Sequence, residues 1–240
     1  MCTVTLVPRP ESMSGFVLTS NRDESVGRET LSPAWERFEG VRQYFPKDKQ
    51  AGGTWLGVSE HSRCICLMNG AEKPHERKPE YRKSRGVVVK EFLAACRLRS
   101  YLNKYNFEGI EPFTMIIVEW HDGLCFQQLV WDGKNYKHEY IPITQHIWSS
   151  SPLYSEAMKK KRKQWFEEVS AEGYTAESLL KFHKSAGEGN KEYGLIIDRG
   201  FLKTQSISQV INGSDGIHFS YQNLINKDTS EEYLTSLKQR

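Results

Sequence analysis

The chain has 240 residues, of which 26% are charged and 38% hydrophobic, a balance typical of a globular protein and not of a disordered one. The formal net charge of +3 is too small to indicate a nucleic-acid partner, and the sequence has no apolar run of the roughly 18 residues that a membrane span requires. The five cysteines lack CxxC spacing and the N-terminus MCTVTLVPRP lacks the features of a signal peptide, so we expect no disulfide framework, no metal site and a cytoplasmic location.

The first part of the chain predicts two β-hairpins with an irregular segment between them. Residues 2–7 and 16–21 are apolar or β-branched and are separated by a Pro- and Gly-containing turn, which indicates an antiparallel hairpin. Residues 25–50 are polar and are expected to be irregular. Residues 54–60 and 63–69 form the second predicted hairpin.

The rest of the chain alternates between predicted helices and strands. Residues 84–105 have apolar positions at helical spacing, with Ser84 as the N-cap. A second helical region, 155–182, is expected to break near Gly173. The further predicted strands are 113–120, 124–133, 136–143, 194–198, 206–211 and 217–222. This order predicts an α+β fold with mainly antiparallel sheets, as a single domain over residues 1–240.

Cys2 is the first candidate catalytic residue. If the initiator Met1 is removed, Cys2 carries a free α-amine beside its thiol. Such an amine titrates with a pKa of about 7.7–8.0, so it can act as the general base for its own side chain. The alternative is a cysteine that merely begins a strand.

A polar cluster of four residues, Asn21 to Glu24, ends the second predicted strand. In an antiparallel hairpin the end of strand two lies beside the start of strand one, so this cluster is expected close to Cys2. A carboxylate such as Asp23 could hold the amine, and Arg22 could steady an acyl oxygen or an anionic group. The alternative is a solvated turn.

Three further patterns bear on function. The stretch GGTWLG, residues 52–57, begins with two glycines that permit a tight turn or the close approach of a ligand, followed by Thr54 and Trp55. The basic run KKKRK, residues 159–163, is expected on the solvated face of a helix, with an acidic or phosphate-bearing partner as the alternative. The seven histidines are scattered, and each is expected at the surface or satisfied in the core.

In combination these motifs resemble the NRDE family, also called the Transport and Golgi organisation 2-like family. The likeness is concentrated in the first hundred residues or so. The residues that carry it are Met1-Cys2, SNRDE (20–24), GGTWLG (52–57), CLMN ending at Asn69, RKSRG (82–86) and, later in the chain, KTQSISQV (203–210).

The resemblance implies the αββα sandwich of N-terminal-nucleophile hydrolases, related to choloylglycine hydrolase and penicillin V acylase. In those enzymes an N-terminal Cys attacks an amide, an Asp and an Arg support it, and asparagines line the oxyanion hole. Asp23 matches that Asp in position, whereas Arg22 lies beside it and the enzymes place their Arg further upstream. Asn69 is the candidate for the first oxyanion asparagine, and Ser149 to Ser151 stand where a second is expected.

The expected function is therefore a cysteine amidohydrolase or acyl-transfer protein that acts on a small-molecule amide or acyl thioester. Its expected catalytic residues are Cys2, Arg22, Asp23 and Asn69, and its expected ligand-binding residues are Asn21, Thr54 and Trp55. No cofactor is required for this chemistry. The alternative that the family suggests is a non-catalytic carrier of the same fold, which handles haem or an acyl-CoA or lipid ligand.

Overall fold

The computed structural model describes residues 3–234, which divide into two compact units. The first unit contains residues 3–28 and 143–234, and the second contains residues 29–142. The strands are β1 (Thr3–Pro8), β2 (Phe16–Ser25), β3 (Thr30–Phe38), β4 (Val41–Asp48), β5 (Leu56–Ser59), β6 (Arg63–Asn69), β7 (Phe113–Glu119), β8 (Cys125–Trp131), β9 (Tyr136–Ile141), β10 (His146–Ser149), β11 (Leu202–Gly213), β12 (Gly216–Asn223) and β13 (Thr229–Tyr233). The helices are α1 (Arg85–Ala94), α2 (Leu98–Leu102), α3 (Glu156–Glu168) and α4 (Ala176–Ser185).

The first unit is built on a six-stranded antiparallel sheet with the strand order β10-β1-β2-β11-β12-β13. Helices α3 and α4 cover one face of this sheet. Apolar side chains of β1, β2, the two helices and the segment between α4 and β11 pack together there, namely Val7, Val17, Phe166, Leu179, Phe182 and Leu195. The sheet brings β2, from the start of the chain, beside β11, which comes from its last fifth.

The second unit is built on a seven-stranded antiparallel sheet with the strand order β3-β4-β5-β6-β7-β8-β9. The sequential order reflects a meander of hairpins. Helix α1 packs on the central strands, where Ile65, Leu93 and Ile117 belong to a cluster of buried aliphatic and aromatic side chains. Ser84 caps α1 as predicted, since its side chain accepts a hydrogen bond from the Val87 N–H.

The expectation that residues 25–50 are irregular is wrong, because this segment forms the hairpin β3–β4. No side chain of β3 is buried, and β4 has four consecutive buried positions, 43–46, so neither strand shows the alternation of buried and exposed positions that marks a strand in sequence. Cross-strand pairs stabilise it instead, including Trp35 against Tyr44 and the 2.8 Å ion pair of Lys47 with Glu36. Two residues with positive φ form its turn, Glu39 at 50° and Gly40 at 83°.

The single helix predicted over 84–105 is interrupted after Ala94. The end of α1 is capped by Arg63 of β6, whose buried guanidinium donates to the carbonyl oxygens of Phe92 at 2.7 Å and Ala95 at 2.6 Å. The same guanidinium pairs with Glu119 at 2.7 Å. A side chain from a distant strand therefore binds the carbonyls at the end of α1, which helical periodicity cannot reveal.

The predicted strand 194–198 is also wrong, since this segment shares only one isolated bridge with β11. Side chains of β2 and β11 form hydrogen bonds with its backbone. The Leu195 carbonyl accepts from the Asn21 amide at 2.6 Å, and the Ile197 N–H donates to the Thr204 hydroxyl at 2.8 Å. Two short strands that the sequence did not indicate are β10 and β13.

Candidate active site

The pairing of β1 with β2 places the polar end of β2 beside the start of the chain. Thr3 lies opposite Asn21, and the same antiparallel register continues to Pro8 opposite Phe16. The predicted hairpin is thus confirmed, while Cys2 itself lies outside the described residues. Asn21, Arg22 and Asp23 are 0%, 2% and 2% exposed, so their burial excludes the solvated turn.

The Asp23 carboxylate accepts hydrogen bonds on both oxygens. The Tyr154 hydroxyl donates to Oδ2 and the Thr204 hydroxyl donates to Oδ1, each at 2.6 Å. These distances are typical of the strong bonds between a hydroxyl and a carboxylate. Tyr154 precedes α3 and Thr204 lies on β11, so two segments that are distant from β2 in sequence hold this carboxylate in one orientation.

Asn21 shares the Asp23 face of β2, because side chains alternate along a strand. Its amide donates to the carbonyls of His183 and Leu195, so its Oδ1 accepts the 2.5 Å contact from Nδ1 of His183. The His183 Nε2 then accepts from the Thr5 hydroxyl at 2.9 Å. Asn21 therefore anchors α4 to β2. His183 is a buried histidine whose two ring nitrogens both have hydrogen-bond partners, as the sequence analysis expected for a histidine in the core.

Burial and, secondarily, the nearby Arg162 guanidinium lower the pKa of His183 from 6.5 to about 3. Between these two values the unfolded chain binds a proton that the folded chain does not, so stability must fall as the pH falls.

We expect this histidine alone to reduce the free energy of unfolding by about 2 kcal/mol between pH 7 and pH 5. Urea denaturation at the two pH values measures the loss. His183→Gln should lose that part of the pH dependence, whatever its effect at pH 7. Equal losses in the variant and in the unaltered protein would contradict the assignment.

Arg22 lies on the opposite face of β2 from Asn21 and Asp23. Its Nη1 donates to the Gln205 side chain at 2.8 Å and to the Arg28 carbonyl at 3.4 Å, and its Nη2 lies 3.9 Å from the Glu24 carboxylate. The bulge of β11 between Thr204 and Ser206 is where Gln205 meets this side chain. Arg22 and Asp23, adjacent in sequence, thus serve different sides of the sheet.

Arg162 is a buried residue at this end of the sheet whose burial the sequence analysis missed, since the basic run 159–163 was expected to be solvated. It is 0% exposed, whereas Lys160, Lys161 and Lys163 are exposed. Its Nη1 donates to the Thr3 hydroxyl at 2.5 Å, and its Cζ lies 3.6 Å from the centre of the Tyr154 ring. Helical spacing could have indicated that Arg162 is buried, because position 162 falls one turn before the buried Phe166.

The serines from 149 to 151 lie at the same end of the sheet. Ser149 of β10 pairs with Thr3, and its hydroxyl is 3.5 Å from Nη1 of Arg162. The Ser150 carbonyl accepts from the Tyr154 N–H at 3.2 Å in the turn that leads to α3. This segment, expected where relatives carry a second oxyanion asparagine, is thus placed beside the first residue of β1.

Asn69, Thr54 and Trp55 belong to the second unit. Asn69 ends β6 opposite Phe113. The Thr54 hydroxyl donates to the Leu56 carbonyl at 2.8 Å, and Trp55 is buried with its carbonyl accepting from the Leu67 N–H at 2.7 Å. Their roles toward an oxyanion or a ligand stay predictions.

The structure of the second unit explains why residues 52 and 53 of GGTWLG are glycines. A Cβ on Gly53 would lie 2.3 Å from the carbonyl carbon of Gly86, and the Thr54 N–H donates to the Gly86 carbonyl at 3.1 Å. Gly52 has φ 67°, which favours glycine. The close approach that Gly53 permits is therefore to the start of α1, which explains two sequence motifs together.

Within residues 3–234, no three His, Cys, Asp or Glu side chains are grouped so that they could hold a metal ion. In the same range, none of the helices is long and apolar enough to cross a membrane.

Solved structures define the class of fold. The chain is similar to a Caenorhabditis elegans orthologue of N-acylethanolamine-hydrolyzing acid amidase, with a TM-score of 0.59 and 9% identity over 87% of this chain and 92% of that one. It is also similar to the R18L variant of conjugated bile acid hydrolase from Clostridium perfringens, with a TM-score of 0.56 and 8% identity over 98% and 93% of the two chains. The predicted α+β fold of the N-terminal-nucleophile hydrolase type, with two large antiparallel sheets, is confirmed.

The sequence model of the Transport and Golgi organisation 2 family matches residues 1–192, and the chain belongs to that family. It is 34% identical to the mouse Transport and Golgi organization 2 homolog over 107 residues, which are 42% of this chain and 38% of that protein. The human homolog is 30% identical over the same shares of the two chains. The matched region thus covers well under half of these relatives.

Proposed function

We propose that this protein is a cysteine amidohydrolase or acyl-transfer protein that acts on a small molecule through Cys2. After removal of Met1, the α-amine of Cys2 takes the proton of its thiol. The thiolate forms a C–S bond with the acyl carbon, the C–N or C–S bond to the leaving group breaks, and the amine returns its proton to that group. Water or another nucleophile then cleaves the thioester.

The observation that carries this proposal is the buried carboxylate of Asp23. It lies two residues beyond Asn21, the strand partner of Thr3, and two hydroxyls fix its orientation. A carboxylate held so rigidly beside the start of a chain suits the task of orienting an N-terminal amine, because pre-organisation supplies much of an enzyme's rate enhancement. We assign that role to Asp23.

The other expected residues take subordinate roles in this proposal. Arg22 contributes positive charge, and Asn21 supports the site by fixing α4 to β2. The sequence resemblance is the basis for keeping Asn69 as the oxyanion donor. It is also the basis for keeping Thr54 and Trp55 as ligand-binding residues.

Brief alkylation with iodoacetamide followed by peptide mapping tests the proposal. An activated Cys2 should be labelled faster at pH 7.5 than Cys96, which is exposed, and faster than the buried Cys64 and Cys66. Burial and then the nearby Cys66 raise the pKa of the Cys64 thiol, so Cys64 serves as the slow reference. Intact mass must first show that Met1 is absent. If Cys2 reacts no faster than Cys96, the catalytic proposal is wrong.

A second candidate function, the carrier, is favoured by a cavity of about 470 Å³ in the first unit. Its aliphatic lining residues are Ile196, Ile197, Ile207, Leu224 and Ile225, and its lysines are Lys184, Lys203 and Lys227. Asp198 pairs with Lys203 at 3.1 Å, whereas Lys184 and Lys227 form no ion pair within residues 3–234. An apolar floor with ammonium groups suits a ligand that is both apolar and anionic, such as haem or an acyl thioester of coenzyme A.

Titration with haem, followed by the Soret band and by tryptophan fluorescence, tests the carrier. Micromolar binding that persists in Cys2→Ala and weakens in Lys184→Ala/Lys227→Ala, without any turnover, would favour it over the enzyme. If neither haem nor an acyl-CoA binds at micromolar concentration, the carrier is excluded.

A further inference from the structure

The strand β9 forms one edge of the seven-stranded sheet, and within residues 3–234 only β8 pairs with it. Alternate residues of an edge strand point their N–H and C=O groups away from the sheet, so such a strand can accept a further strand. The ladder of β9 with β8 is regular from Tyr136 to Ile141, without a bulge. Tyr136 and Tyr140 are 43% and 61% exposed. β9 therefore presents an accessible edge of six residues.

The opposite edge of the same sheet is protected against such pairing. Its edge strand β3 contains Pro33, which has no N–H to donate, and its register with β4 shifts between Leu31 and Ala34. Proline residues and bulges are two of the features by which proteins block pairing at a free edge. From Tyr136 to Ile141, β9 has neither of them. The two edges of this sheet thus differ in whether they permit a further strand.

The side chains of β9 are arranged almost symmetrically about His138. Lys137 and Glu139 flank it, and Tyr136 and Tyr140 lie one position further out. If a second copy of the chain adds its own β9 antiparallel with the two His138 residues opposite each other, each Lys137 faces a Glu139 of the other copy. Each Tyr136 then faces a Tyr140 in the same way. Opposite charges and aromatic rings directly across a strand pair both stabilise the pairing.

The charges of β9 select this register over its neighbours. A shift of the two-fold axis by one residue places Lys137 opposite Lys137 or Glu139 opposite Glu139, and like charges directly opposite each other are destabilising. With the axis at His138, both charges are paired. Partial burial and then the nearby Arg99 guanidinium lower the pKa of His138, so the two facing rings are uncharged at pH 7.

We propose that β9 is a homodimerisation edge, at which two copies of this chain pair their β9 strands antiparallel about a two-fold axis at His138. The two seven-stranded sheets then join into one continuous sheet. Such an interface is isologous, the commonest arrangement in dimers. Main-chain hydrogen bonds supply affinity in strand addition, and the side chains supply specificity. Because six residues from each copy form a small interface, we expect a dissociation constant of roughly 1–100 μM.

Sedimentation velocity of the full chain at concentrations from about 1 to 200 μM tests the proposal. The unaltered protein should change from monomer to dimer over this range, and a protein that stays monomeric throughout would overturn the proposal. Glu139→Lys and Lys137→Glu each place like charges opposite each other twice in the dimer. Each should raise the dissociation constant at least about tenfold.

Lys163→Glu is the matched control. It changes the net charge by as much as Lys137→Glu does, at a position of α3 whose side chain is 68% exposed. It should leave the dissociation constant unchanged. If it weakens the dimer as much as Lys137→Glu does, net charge and not strand pairing governs association, and the proposal is wrong.

A mixture of the two β9 variants tests the register itself. When Glu139→Lys pairs with Lys137→Glu, position 137 of each chain again faces an opposite charge at position 139 of the other. The equimolar mixture should therefore dimerise about as tightly as the unaltered protein, and so should the double variant Lys137→Glu/Glu139→Lys. A mixture that associates no more tightly than either variant alone would overturn the proposal.

Discussion

Cys2→Ser should reduce turnover of acyl p-nitroanilides and acyl N-acetylcysteamine thioesters by roughly a thousandfold or more, the scale on which loss of a nucleophile acts. A serine hydroxyl is far less acidic than a thiol, so an α-amine with a pKa near 8 activates it much less readily than it activates the thiol. The variant retains the side-chain volume and the polar character of the position. Its stability should therefore stay close to that of the unaltered protein.

Cys96→Ser is the matched control, because Cys96 is exposed and follows the end of α1. It should retain full turnover. The rate of the unaltered protein should rise with pH through the titration of the amine at about 7–8. Turnover of Cys2→Ser within a factor of about ten of the unaltered protein would indicate that another group performs the chemistry.

Asp23→Ala should lower the free energy of unfolding by about 3 kcal/mol, because it leaves buried hydroxyl groups without their acceptor. The Tyr154 hydroxyl loses a 2.6 Å bond, whereas the Thr204 hydroxyl can turn to the Leu195 carbonyl at 3.3 Å. The larger part of the loss should therefore come from Tyr154. Urea denaturation of the two proteins at pH 7 measures it.

Asp23→Asn separates the catalytic from the structural part of this effect. The amide keeps the shape and one acceptor, so stability should fall less than in the alanine variant. Turnover should still fall about tenfold to a hundredfold, because a neutral amide orients a charged amine poorly. Tyr154→Phe is the control that removes one donor and keeps the carboxylate. An Asp23→Asn variant with full turnover would remove Asp23 from the proposed mechanism.

Local sequence information predicted the parts of the fold in which neighbouring residues decide the conformation. The β1–β2 hairpin follows from two apolar segments and the turn between them, and it placed the end of β2 beside the start of β1. The break near Gly173 was likewise predicted from a local feature, the glycine itself, and the backbone there has a φ of 78° that favours glycine. The hairpin β3–β4 was missed because neither strand alternates between buried and exposed positions: β3 has no buried side chain, and β4 has four consecutive ones.

Some residues of the candidate site could be predicted from local sequence, and others could not. Asp23 could be proposed from its sequence position at the end of a predicted strand, and Cys2 from the chemistry of an N-terminal cysteine. Tyr154 and Thr204 lie 131 and 181 residues away from Asp23 in sequence, and no local pattern connects them to it. Arg162 belongs to a basic run in which Lys160, Lys161 and Lys163 are exposed, so the run as a whole is typical of a solvated helix face.

By itself, the sequence determined the family, the α+β class and the strand on which the acidic residue of the site lies, because motifs and strand periodicity are properties of short segments. The tertiary structure decided which side chains surround that residue: α3 brings Arg162 to Thr3, β11 brings Thr204 to Asp23, and α4 brings His183 to Asn21. The physical reason is that burial and hydrogen-bond partners depend on segments far apart in the chain. An arginine is a solvated charge on an exposed helix face, and it is a buried hydrogen-bond donor where that face packs on a sheet, as Arg162 does.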